Sequence, residues 1–255
     1  MRTLAIVLFV AACGGGGGSN NNIDAAKSAD AKVYMDAPPN VSQMITIAGT
    51  ALASDNNSST PLAGATVKLL KTSDDSVLGM ATTAADGKYS FTVQTNGQVV
   101  DAYILATASG YKNAAAFPAA PFQADTAKAD SNMVTTGNYA ALAGFVGQHA
   151  CPDTCPDMAS TCTDTCMGFA VVEVLDSNSM AVQGAVASST PTATYHYFSG
   201  AFPTGTDATD SSGTAFYSNM TPGMVTISAT KTGVVLKSHA IKALKNTFTS
   251  TVITE

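Results

Sequence analysis

Thr82-Thr83-Ala84-Ala85-Asp86-Gly87-Lys88-Tyr89-Ser90-Phe91-Thr92-Val93 is the stretch that decides the fold. Its second half alternates strictly, with Tyr89, Phe91 and Val93 on one face of an extended chain and Lys88, Ser90 and Thr92 on the other. A period of two marks a half-buried β-strand, and the Asp-Gly before it is a tight-turn signal. Working outward, residues 66–70 and 102–108 are similar short β-prone runs. Thr60-Pro61, Asn96-Gly97 and Ser109-Gly110 punctuate them. Short strands at this spacing predict an antiparallel sandwich, with Tyr89, Phe91, Phe216 and Tyr217 as core aromatics.

The same landmarks recur later in the chain. Pro61-Leu62-Ala63-Gly64-Ala65 matches Ala181-Val182-Gln183-Gly184-Ala185, and Asp86-Gly87 matches Ser212-Gly213. Asn96-Gly97 matches Pro222-Gly223, and Ser109-Gly110 matches Thr232-Gly233. The order is kept, with small insertions. Two copies of one β-domain account for this. The landmarks resemble a carboxypeptidase regulatory-like domain, which implies tandem prealbumin-like or Ig-like seven-stranded sandwiches. The first copy, 44–135, matches well. The second, 167–255, is more divergent, since Val182-Gln183 replaces the usual Pro-Leu or Pro-Val. That resemblance is specific for fold and weak for function, because its residues build turns.

At the N-terminus, one basic residue, Arg2, precedes an apolar run from Leu4 to Val10 that ends in Ala11-Ala12-Cys13. This is the architecture of an export signal. Val10-Ala11-Ala12-Cys13 resembles the lipobox of bacterial lipoproteins, which implies a signal peptide over 1–12 and acylation of Cys13. By the same resemblance, Gly14 after the cysteine, rather than Asp, points to the outer membrane. Residues 13–43 lack apolar periodicity and open with five glycines, so they read as a disordered tether with a reach of roughly 30 Å. Charged residues are only 12% and the net charge is −6. No basic cluster exists to displace counterions from a phosphate backbone, which excludes nucleic acid as a partner.

Four cysteines cluster in the segment 136–166, which reads as a linker between the copies. Cys151, Cys155, Cys162 and Cys166 form two Cys-x3-Cys units. An exported chain favours disulfides. Nested pairing, Cys151 with Cys166 and Cys155 with Cys162, satisfies one antiparallel register, and the other two pairings stay open. Four thiolates with His149 nearby are the zinc alternative. Asp153, Asp157 and Asp164 read as solvated carboxylates rather than calcium ligands. No Cys-x-x-Cys occurs, which argues against a redox role.

No catalytic constellation emerges. His149, His196 and His239 are the three histidines, and neither a His-x-x-x-His pair nor a Gly-x-Ser-x-Gly elbow is present. Ser109-Gly110-Tyr111-Lys112 formally matches Ser-x-x-Lys, but the repeat places it at a hairpin turn. Lysine crosslinked to Asn or Asp with the help of an acid is a further possibility, for which Lys68 and Glu173 are the sequence candidates. The expectation is a non-enzymatic, lipid-anchored envelope protein without cofactor or metal, acting as spacer and interaction module toward a glycan or an envelope protein. The alternatives are a carbohydrate-binding module, with Tyr195, Tyr197, Phe198 and Phe202 as ligand contacts, and an accessory subunit of an extracellular enzyme.

Overall fold

The computed structural model describes residues 41–55, 58–148, 166–199 and 202–255. The protein is all-β, built as two sandwiches in tandem. In the first, the alternating run becomes β5 (Lys88–Gln94), with Tyr89, Phe91 and Val93 buried and its other residues exposed. It pairs antiparallel with β1 (Met44–Asp55), setting Ile45 opposite Val93 and Ile47 opposite Phe91. Two further strands, β2 (Ser58–Pro61) and β8 (Ser131–Val134), complete this layer, and β8 runs parallel to β1. The facing layer is β4 (Val77–Thr82), β3 (Thr66–Lys71), β6 (Ala102–Thr107) and β7 (Ala114–Ala116), in that order. Ile45, Ile47, Val67, Leu69, Phe91 and Ile104 fill the space between them.

The second sandwich repeats these pairings. There β9 (Gly168–Val174) pairs antiparallel with β13 (Thr214–Met220) and parallel with β16 (Phe248–Ile253). Its facing layer is β10 (Val186–Thr190), β14 (Gly223–Thr230) and β15 (His239–Ala243). One strand switches layers. In the first copy β4 lies beside β3, whereas in the second β11 (Thr194–Ser199) and β12 (Phe202–Gly205) extend the layer of β13.

The copies are fused through backbone. β16 also pairs in parallel with β7, with Phe248 opposite Ala114 and Ser250 opposite Ala116. One nine-stranded sheet therefore runs β12-β11-β13-β9-β16-β7-β6-β3-β4. The segment read as linker begins with helix α1 (Thr136–Phe145), whose N-cap Thr135 accepts a hydrogen bond from Asn138 N at 3.2 Å. Tyr139, Leu142 and Ala143 of α1 pack on Phe169, Val171 and Phe248 of this sheet.

The duplicated turns share hydrogen bonds as well as residues. Thr83 Oγ1 accepts from Ala65 N at 2.9 Å and donates to Leu62 O at 2.6 Å. Thr209 Oγ1 accepts from Ala185 N at 2.9 Å and donates to Val182 O at 2.6 Å. Gly87 and Gly213, at φ 72° and 68°, press against the carbonyls of Ala51 and Val174, where a Cβ would come within 2.8 and 2.7 Å. Only glycine satisfies both the left-handed φ and that close approach.

Candidate functional site

β11 carries the aromatic run singled out in the sequence, and its pleat divides the run between two faces. Tyr197 is buried, and its hydroxyl accepts from Ala187 N at 2.8 Å. Tyr195 stands edge-on to Tyr217 at 5.2 Å, its hydroxyl 2.9 Å from Ser189 Oγ. Both tyrosines thereby close the edge of β10 that, among the described residues, no strand covers. Burial raises the Tyr197 phenol above its ordinary pKa. His196 and Phe198 occupy the other face, where Phe198 packs edge-on against Phe216 at 5.1 Å and His196 Nε2 is buried without a hydrogen-bond partner. The four sequence candidates thus form no common platform. Phe202 alone is well exposed, at 44%, and its neighbour is Phe145 of α1, 43% exposed, with ring centroids 5.0 Å apart. Sequence reasoning missed Phe145, because α1 has no marked apolar periodicity to show which residues it leaves outside.

A cleft of about 470 Å³ lies where the two copies meet. Its outer wall is the strap of residues 117–130, and its floor includes Ala116, Ser250, Val252 and Leu175. The strap is tied along β1. Ala48 N donates to Thr126 O at 2.7 Å and Ala129 N to Ala48 O at 2.9 Å. Asp125 and Asp130 each accept from a β1 amide, Thr46 N and Thr50 N, at 2.7 Å, and Tyr89 hydroxyl donates to Ala129 O. Gly49 makes this approach possible, since a Cβ there would fall 2.3 Å from Ala129 O. Phe117, Pro118, Pro121 and Phe122 make the wall apolar, while Lys128 and Asn132 add polar groups. A volume of this size and lining suits a small ligand or a short peptide.

The remaining sequence candidates scatter. Cys166 is buried, at 1% exposure, and is disulfide-bonded. Cys13, Cys151, Cys155, Cys162, His149, Asp153, Asp157 and Asp164 lie outside the described residues, as do the signal and the tether. Among the described residues, no group of three His, Cys, Asp or Glu side chains could hold a metal, and no helix is long and apolar enough to cross a membrane. His239 Nε2 lies 3.0 Å from Thr251 Oγ1, and burial holds its pKa below the ordinary value. Burial pushes the Glu173 carboxyl up to about 7. Lys68 and Glu173 sit on β3 and β9, four strand spacings apart in the sheet, or roughly 19 Å. They do not meet.

No family model matches the chain, and no curated protein matches it. Among solved structures it is similar to the shaft pilin SpaA from Lactobacillus rhamnosus GG, at 10% identity over 83% of this chain and 97% of that one, with a TM-score of 0.27. It is also similar to GBS52, the minor pilin of Streptococcus agalactiae, at 14% identity over 84% and 96%, with a TM-score of 0.24. Superpositions this loose carry no argument. The fold rests on the chain's own strand pairing.

Proposed function

We propose that the protein is a non-enzymatic, lipid-anchored envelope protein in which two carboxypeptidase regulatory-like sandwiches act as spacer and interaction module. The observation that carries this reading is the parallel pairing of β7 with β16. It welds the copies into one sheet, which suits a part that must hold geometry between a membrane and a partner. The repeated Thr83 and Thr209 hydrogen bonds support the domain resemblance. Acylated Cys13 supplies the anchor to the outer membrane in this reading. The cysteine loop, paired Cys151 to Cys166 and Cys155 to Cys162, braces the junction.

Anchoring is tested by fractionating cells that express the full chain or its Cys13→Ala variant. The full chain should partition with membranes and carry acyl mass on Cys13, and the variant should not. Equal partitioning of both would sink the anchor. A second reading, glycan binding, is favoured by the exposed Phe145–Phe202 pair. It requires binding on a polysaccharide panel that both Phe145→Ala and Phe202→Ala reduce at least tenfold. A panel with no binding would leave the spacer reading in place.

A further inference from the structure

We propose that the side chains of Lys112 and Asn246 are joined by an intramolecular amide crosslink. The lysine and the assisting acid named from sequence, Lys68 and Glu173, are held apart by the sheet. The fold brings a different lysine onto a carboxamide: Lys112 Nζ contacts Asn246 Oδ1 across 134 positions of sequence.

Both residues are fixed by the backbone around them. Lys112 N donates to Val134 O at 2.8 Å, and Phe248 N donates to Asn113 O at 2.9 Å. On the other side, Lys245 is bridged to Gly168, and Thr247 Oγ1 donates to Lys245 O at 3.0 Å. Asn246 itself adopts a left-handed φ of 54°, a conformation asparagine tolerates, and is only 8% exposed. Lys112 Nζ stands 5.1 Å from the ring centroid of buried Tyr139. Amine and carboxamide are thus held together in a partly buried, fixed geometry. Well-oriented groups react as if at roughly 10⁵–10⁸ M, which offsets the low reactivity of an unactivated amide.

The step balances without a co-reactant. Lys112 Nζ bonds to Cγ of Asn246 and the Cγ–Nδ2 bond breaks. The two protons that the lysine ammonium gives up leave on the displaced nitrogen as ammonium. Nothing is oxidised or reduced. The product ties the turn before β16 to the turn before β7, so it fastens the seam on which the spacer reading depends. The chemistry stands or falls independently of that reading, because mass alone reports it.

The test is a tryptic digest of the reduced, denatured full chain, read by mass spectrometry. The crosslink blocks cleavage at Lys112, so residues 89–128 should appear joined to residues 246–255, lighter than the two peptides together by one ammonia. Fragmentation should place the join on Lys112 and Asn246. Lys112→Arg should release 246–255 as a free peptide. In Asn246→Asp the same join should form with loss of water. Recovery of unmodified linear peptides 89–112 and 246–255 from the wild-type chain would overturn the proposal and leave an ordinary hydrogen bond. The wild-type digest decides this even where a variant fails to fold.

Discussion

Glu173 shows how one residue can set a property of the whole protein. It lies on β9 opposite Thr214 and Val252, on the sheet face that also carries Phe169 and Val171. Burial raises its carboxyl to about 7. The folded state therefore holds a proton that the unfolded chain releases near its ordinary value. That contribution to stability is fully present below about pH 4.5 and is lost as pH rises through 7, for a total of about 2 kcal/mol after allowance for partial solvent access. Glu173→Gln should flatten this fall and leave the variant more stable than wild type at pH 8. Urea unfolding at pH 5 and pH 8 checks it, and an equal response of both proteins would refute it. At this same scale, the glycines of the turns were legible in the sequence, because Asp-Gly and Ser-Gly are local conformational signals. Thr83 and Thr209 were not legible. Their importance lies in hydrogen bonds to residues about twenty positions away, and one threonine among many gives no sign of that.

Among the elements, β16 departs most from its sequence pattern. Phe248-Thr249-Ser250-Thr251-Val252-Ile253 reads as a strand with a polar face, yet all six residues are buried. The reason is position: β16 lies in the interior of the nine-stranded sheet, between β9 and β7, with layers packed on both faces. Thr251 uses that burial, its Oγ1 donating to Phe117 O at 2.9 Å, whereas Thr249 Oγ1 is buried without a hydrogen-bond partner. Ser250→Pro would remove a ladder donor from an interior strand and destabilise the sheet. Hydrogen exchange should then lose protection in β9 and in β7 together. Loss confined to β9 would mean that the seam does not hold in solution. β11 teaches a related lesson. Its aromatic run was visible in sequence, but the pleat and the burial of Tyr197 turned a supposed platform into a strap over β10.

For the molecule as a whole, the two copies share more than a backbone seam. Tyr103, Leu105 and Phe117 of the first copy lie in one apolar cluster with Ala170, Val172 and Ile227 of the second. At its margin Lys242 pairs with Asp75 at 2.5 Å, and Asp75 accepts from the Tyr103 hydroxyl at 2.9 Å. The described residues should therefore unfold in a single cooperative transition, with calorimetric and van't Hoff enthalpies equal. Two resolved transitions would show that the copies are energetically separate. The sequence by itself determined the strands, the turn types and the duplication, because alternation and glycine conformation act over a few residues. Tertiary structure alone decided that β11 changes layers, that β16 joins the copies, and that Lys112 meets Asn246. These follow from pairing and packing between segments far apart in the chain, where no local pattern records which surface a strand will find.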